Sequence, residues 1–542
     1  MASLNERTGT LGRRLASHLL RRCTFNHTFA RIDNLASMTA NQAVEELFNV
    51  PPLRWPNGPL SWHDGNPIHK VPATDENLGI DDDLFDDGDL RRATMLWMFY
   101  ETLFDPSIRM KLTYWMHSLF VTTYEDQWPY YNWSLIIQMT SGSLKTLAYK
   151  MTLDNQMLKY LDNRNNNKGN PNENYAREFL ELFTILKGTQ ISEDDYTNYT
   201  ETDIIEGARL LTGFKQSETR VDPTTGLPQG RAEYNQHDTD DKTFTAAFGN
   251  RTITGATNEN DMFRELQDFV DMIFDQQETA RAFMRRLYRF FVSDNISPEV
   301  ESDIIEPLAT QLRGDGYVIT PTIKRLLKSE HFYDADDNDG SNEIIGAKIK
   351  SPLEIYAASV TIWEANNLNT AANNSNYENI FKDDHRFLTD FMDEMGMSPE
   401  GPETVEGFAG YYKEPGYSNN WFNTSTSYYR YAVGTSLRRG KVRDSNRDIP
   451  FQVNIVSFVD QNVPNPADGT ALVTELLEHL FPDMPDQDRF NYFLNELLGG
   501  GSLNNWSTSW TDYKSNGDDS TVRVGLENLF NAIMQSAEFQ TF

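Results

Sequence analysis

Asn170-Pro171-Asn172-Glu173-Asn174-Tyr175-Ala176-Arg177-Glu178-Phe179-Leu180-Glu181-Leu182-Phe183-Thr184-Ile185-Leu186 follows a polar loop, Asp162–Pro171. Pro171 cannot continue a helix from upstream and Asn172 offers a capping side chain, so the spacing predicts a helix over Glu173–Leu186. Asn174, Arg177, Glu178 and Glu181 recur at i, i+3, i+4 and i+7, which gathers them on one polar stripe. Tyr175, Phe179, Leu180, Leu182, Phe183 and Leu186 cover the rest of the circumference. A helix this apolar belongs inside a helical core, and its stripe either meets water or lines a cleft.

The helical period extends outward on both sides. Thr39 stands three residues before Gln42, a capping-box spacing. Leu90–Thr123 reads as two helices broken near Asp105-Pro106, and Trp133–Met139 and Leu144–Tyr160 flank the turn Ser141-Gly142-Ser143. Downstream, helices are expected at Thr202–Gly213, Asp261–Phe274, Glu278–Val292, Pro298–Arg313 and Thr320–Ser329, and after Lys350-Ser351-Pro352. Thr424–Ser436, Gly469–Phe481, Gln487–Leu498 and Val524–Glu538 complete the series. Leu53–Asp89, rich in Pro, Gly and Asp, reads as a surface excursion, and Phe244–Ile253 as a hairpin around Gly249-Asn250. Leu327–Phe332 and Met534–Phe539 echo one another, either as related subdomains or as one helix ending used twice. The expected fold is mostly α: a multi-helical globular protein with long irregular loops and at most short β-hairpins. A main domain spans 1–365 with an irregular insertion near 214–260, and a C-terminal helical subdomain, 366–542, packs on it. The Asn-rich Asn366–Tyr377 marks the boundary.

With 39% hydrophobic residues in 542, the chain has ample material for a large core. No window approaches the roughly 20 apolar residues of a membrane span; the longest, Leu96–Phe104, is interrupted by Glu101. Lys and Arg number 48 against 80 Asp and Glu, a formal charge of −32 that repels phosphate backbones, so nucleic acid is not an expected partner. The basic stretch Leu11–Arg22 reads as an amphipathic helix docked by its leucines. The single cysteine, Cys23, excludes an intrachain disulfide. Met1–Arg7 shows no apolar leader, so the default location is cytoplasmic, and periplasmic or secreted if a leader was trimmed.

Chemistry has few places to sit. The candidate catalytic residues are Glu178, Glu181, His237 and Asp238. Two carboxylates one helical turn apart beside Arg177 suit cation binding or a split pair for acid–base work, and the ordinary amphipathic helix is the alternative. His237-Asp238 lies in an irregular segment with Lys242 four residues on, where a turn with a hydrogen-bonded imidazole is the commoner outcome. Asn172, Asn174, Arg177, Asp162 and Lys242 are candidate binding residues, with Arg177 expected to tie its helix to Asp162 or Asp238. A divalent cation is compatible with this set. His117, among aromatic neighbours, reads as a satisfied core histidine. The aromatic clusters at Trp128, Tyr130, Tyr131 and Trp133 and at Tyr411, Tyr412, Tyr417, Trp421 and Phe422 are packing first and sugar platforms second. Asp337, Asp339 and Gly340 imitate only part of a calcium loop, and no Walker loop, dinucleotide fingerprint, His-Glu-x-x-His or nucleophile elbow is present.

One ordered series of blocks is more specific than any of these motifs. Leu19-Leu20-Arg21-Arg22-Cys23-Thr24-Phe25, Tyr160-Leu161-Asp162-Asn163, Asn170–Glu178, Ala208–Phe214, His237-Asp238 with Lys242 and Phe244, Arg286–Val292 and Lys350-Ser351-Pro352 together resemble the bacterial DUF1800 family. Asn26 stands where that family's first block usually has Gly. The resemblance implies a helical fold, bacterial origin, frequent export and a neighbouring gene for a sulfatase-like or phosphatase-like partner; it implies no reaction. The expected role is an accessory or binding protein acting with a partner on envelope or extracellular polymers. The alternative is a hydrolase with a carboxylate–histidine site, metal-assisted or not.

Overall fold

The computed structural model describes residues 2–69, 85–124, 127–336, 343–365, 381, 385–442 and 447–542. The chain is 57% helical, and the described residues hold only three two-stranded antiparallel sheets. The acidic imitation of a calcium loop and the Asn366–Tyr377 boundary lie outside the described residues.

Local chemistry sets the helix starts. Thr39 accepts from the Gln42 amide while the Gln42 side chain returns to Thr39, a complete capping box. Ser351 and Glu354 repeat the device at the Pro352–Ile362 helix, with Pro at the first position. The Leu144–Tyr160 segment divides because Asp154 caps a second helix, Asn155–Tyr160. The hairpin around Gly249-Asn250 forms: Lys242 and Thr243 pair with Ile253 and Thr252, and Asn250 takes φ 55°. A second hairpin, Gln190–Ser192 with Asp195–Tyr196, lies outside the 214–260 insertion and turns on Asp194 at φ 62°. Among the helices that escape the periodicity reading are Ile455–Asn462 and Leu503–Asn516. The first is short, and the second is rich in Asn, Ser and Thr and buries only Trp506 and Trp510.

One cluster of buried apolar side chains runs from Leu11 to Phe539 and draws on both halves of the chain. The Gly12–Cys23 helix enters it by Leu15, Leu19 and Leu20, and also buries Arg21 and Arg22. Their guanidinium groups survive there by donating to carbonyls, Arg21 to His479 at 2.8 Å and Arg22 to Ile344 at 2.6 Å. Lys111 pairs with the buried Glu354, Lys350 donates to the Phe539 carbonyl at 2.7 Å, and Arg430 donates to the Lys350 carbonyl at 2.8 Å. Cys23 is buried, which pushes its thiol up to about 12. The echo at Leu327–Phe332 and Met534–Phe539 has a local basis. Ser329 and Ser536 each donate to the carbonyl three residues back and accept from the amide three residues on.

Candidate functional site

The Asn-rich loop before the central helix is a framework for its own backbone. Asp162 adopts φ 56° and accepts from Asn165 at 2.6 Å; the buried Asn166 donates to the Ala208 carbonyl at 2.9 Å and accepts from the Asn172 amide at 2.9 Å. Asn172 accepts from the Asn174 amide at 3.0 Å, so it acts one position earlier than a true N-cap, which falls at Glu173. Asn174 reaches back to the Leu161 carbonyl at 3.2 Å. Three expected binding residues, Asp162, Asn172 and Asn174, therefore have backbone or loop partners.

The helix itself is shorter than the sequence suggests. It is α over Asn174–Glu178 and π over Phe179–Phe183. Arg286 sustains the widened turn by donating to the Leu182 and Phe183 carbonyls at 2.7 and 3.1 Å, groups that a helix end otherwise leaves unsatisfied. The inner face is tight: a Cβ on Gly207 would lie 3.3 Å from the Ala176 Cβ, so Gly207 lets the Glu201–Leu210 helix cross here.

The polar stripe separates into different environments. Arg177 ties its helix neither to Asp162 nor to Asp238. It forks onto Glu201, Nη1 to Oε2 at 3.0 Å and Nη2 to Oε1 at 2.6 Å, and reaches Glu173 at 3.0 Å. All three side chains keep about a third of their surface in water. An Arg177→Ala chain is expected to lose about 1 kcal/mol, the scale of a solvent-screened fork. A fall in thermal midpoint matching several kcal/mol would overturn that assignment. Glu181 pairs with Lys187 and accepts from the Tyr199 hydroxyl at 3.2 Å. Glu178 has no hydrogen bond or ion pair among the described residues. Its half-buried carboxyl is pushed up to about 7, first by burial and then by the charges of Glu181 and Glu406, against the pull of Arg177.

His237 and Asp238 occupy a different setting. The fully buried His237 ring donates from Nδ1 to the Thr212 carbonyl at 2.8 Å and meets Glu265 Oε2 through Nε2 at 2.6 Å. Lys242, also fully buried, donates to Glu265 Oε1 at 3.1 Å and to the Asp238 carbonyl. Burial works to raise the Asp238 carboxyl, and the bidentate Arg209 contact, at 2.8 and 3.2 Å, overcomes it and holds the group low. Among the described residues no hydrogen bond or ion pair joins His237 or Asp238 to Glu178 or Glu181. The two halves of the expected acid–base set are thus not brought together by any direct contact.

A cleft of about 230 Å³ opens against the π turn that follows Glu178. Leu182, one turn further along the same helix, forms one wall, and Glu406, whose charge acts on Glu178, stands on another. Arg286 and Arg289 from the Gln277–Phe291 helix and Tyr411, Tyr412 and Tyr417 complete much of the lining, which contains no histidine among the described residues. The Arg289 guanidinium stacks over the Tyr417 ring at 4.6 Å, and its buried Nε has no hydrogen-bond acceptor. Arg286 is pushed down to about 9 by burial and by Arg289 beside it. The two arginines belong to one of the sequence blocks quoted above, whereas Glu406 and the tyrosines carry no local signal beyond aromatic density. Of the two aromatic clusters, Trp128, Tyr130, Tyr131 and Trp133 are all buried, which is packing, and the second gives Tyr411, Tyr412 and Tyr417 to this cleft.

A metal-like set stands elsewhere: Asp33, Glu475 and His479 place ligand atoms within 4.8 Å of one another. Arg13 already supplies the cation, at 2.7 Å from Asp33 and 3.0 Å from Glu475, and His479 stacks on Phe29 at 4.0 Å. This set serves as an ionic clasp between the N-terminal helices and the Gly469–Leu480 helix.

The model of one protein family, described as "Protein of unknown function (DUF1800)", matches residues 18–541. No curated protein and no solved structure matches the chain.

Proposed function

We propose that the chain, which belongs to the DUF1800 family, is an accessory binding protein that works with a partner on envelope or extracellular polymers. The cleft at Leu182 and Glu406, one helical turn from Glu178, takes a hydroxyl-rich ligand such as a stretch of glycan that reaches on to the Glu178 carboxyl. The Glu178 carboxyl, which has no hydrogen bond or ion pair among the described residues, carries this reading. Protonated up to about pH 7, it offers both a donor and an acceptor to a hydroxyl, one helical turn from a cavity walled by tyrosines. Tyr417 under Arg289 and the nearby Tyr412 supply flat apolar faces with polar rims, the combination that sugar rings fit. The burial of His237 against Glu265 leaves the cleft without a histidine base, which favours binding over acid–base hydrolysis.

Titration calorimetry against a panel of soluble bacterial polysaccharides tests this. At least one is expected to bind saturably at pH 6, with affinity falling about tenfold or more in Tyr417→Ala, the scale of a lost aromatic anchor. Binding unaffected by Tyr417→Ala and Glu178→Ala, or absent across the panel, overturns the reading. The raised Glu178 carboxyl favours the hydrolase alternative in one respect, since a carboxyl held near pH 7 suits a general acid. Reducing ends that accumulate in the same mixtures, and cease to do so in Glu178→Gln, would put catalysis in place of binding.

A further inference from the structure

A groove of about 780 Å³ runs along residues 393–412 and shares Tyr412 with the cleft. Asp393, Glu400 and Glu403 line it, and among the described residues no lysine, arginine or histidine does. In a chain with 80 acidic residues an acidic surface is ordinary. What lies behind this one is not. Tyr124, Ser398, Gly401 and Phe408 are walls shared with a recess of about 40 Å³ that is otherwise apolar. Met95, Met98, Met392 and Met397 form much of its inner lining, and their flexible thioethers adapt to small shapes. A water needs roughly 10–15 Å³ on this measure, so the recess holds an arm of about three heavy atoms. The loop that closes it is seated firmly: Gly401 takes φ 104°, and a Cβ there would lie 2.9 Å from the Thr122 carbonyl oxygen.

The geometry points to a second binding site, in which a primary ammonium with a short alkyl arm places the arm in the methionine recess. Its charge then faces Asp393, Glu400 and Glu403. Charge complementarity chooses this occupant over a fatty acid or a neutral apolar group, because three carboxylates without a counter-cation among the described residues repel an anion and gain nothing from a neutral ligand. The recess itself raises no opposing charge. Its one histidine, His117, stacks on Trp133 at 4.2 Å, and burial pushes it down to about 4. Asp393 is raised by partial burial and by the neighbouring Glu400, Glu394 and Asp390, a strain that an ammonium relieves. This site is independent of the glycan reading of the neighbouring cleft.

The test is a titration of the full chain, labelled with ¹³C at the methionine methyls, with n-butylammonium, and with n-butanol as the neutral isostere. Saturable shifts are expected for the recess methyls, with the Met397 resonance identified by its loss in Met397→Leu. Butanol is expected to bind more weakly. The combined variant Asp393→Asn, Glu400→Gln, Glu403→Gln is expected to weaken butylammonium binding about tenfold, leave butanol unchanged and retain glycan binding. All three positions are exposed, so the fold is preserved, and an unchanged thermal midpoint verifies this. Equal affinity for the ammonium and the alcohol, an unaffected triple variant, or the absence of shifts in the recess methyls overturns the proposal.

Discussion

A Glu265→Ala chain is expected to be destabilised by about 3–5 kcal/mol, the cost of stranding buried charge. Glu265 has no solvent exposure and holds two groups at once, His237 through Oε2 at 2.6 Å and Lys242 through Oε1 at 3.1 Å. Its removal leaves the Lys242 ammonium with only the Asp238 carbonyl, and the His237 Nε2 with nothing. Neither can reach water without opening the junction between the Glu259–Phe274 helix and the 237–243 segment. Urea unfolding followed by circular dichroism reads the loss. Lys242→Met alone should also destabilise, because it leaves the carboxylate facing the imidazole without its ammonium. The double variant Glu265→Leu, Lys242→Met should recover much of the loss, since apolar groups of similar volume replace a buried pair at little cost. A Glu265→Ala midpoint equal to that of the parent chain would sink the assignment of His237 and Lys242 to a structural brace.

That brace explains why part of the candidate site was legible in the sequence and part was not. The residue types were visible: His237, Asp238 and Lys242 stand together in an irregular segment. Their partner was visible only indirectly. Glu265 falls among Met262, Leu266, Phe269 and Ile273 on the buried face of an amphipathic helix. A carboxylate on an apolar face demands a buried cation, and that demand could have drawn Lys242 and His237 inward. The capping box at Thr39, the helix start at Ser351-Pro352 and the Gly249-Asn250 hairpin were readable because their chemistry is local, completed within a few residues. The π turn at Phe179–Phe183 was not, because its sequence suits an ordinary α-helix. What stabilises the turn is Arg286, far along the chain, on the Leu182 and Phe183 carbonyls. The cleft is nonlocal in the same way, its walls coming from the ends of several helices and from the 405–417 segment.

The half-buried Glu178 carboxyl, without a partner among the described residues and pushed up to about 7 by burial and by Glu181 and Glu406, makes stability depend on pH in a set direction, and under the proposed function ligand binding as well. The folded chain keeps this proton where the unfolded chain, with an ordinary carboxyl, has released it. Folding is therefore favoured by acid: the contribution is full below the ordinary carboxyl value, declines as pH rises, and is lost once pH passes about 7. Because the side chain is partly in water, solvent screening reduces the effect to about 1–2 kcal/mol. Glu178→Gln retains the neutral shape and removes the titration. The variant is expected to match the parent at pH 4 and to exceed its stability at pH 8, with the difference opening between those limits. Under the proposed function the same proton is offered to a bound hydroxyl, so glycan affinity in the parent should fall about tenfold across pH 7, the cost of a charge-disrupted hydrogen bond. In Glu178→Gln it should stay level. Paired measurements of thermal midpoint and affinity from pH 4 to 9 decide the matter. Parallel midpoint curves for the two chains would remove the raised carboxyl. Diverging midpoints with parallel affinities would leave Glu178 protonated but outside the ligand's reach.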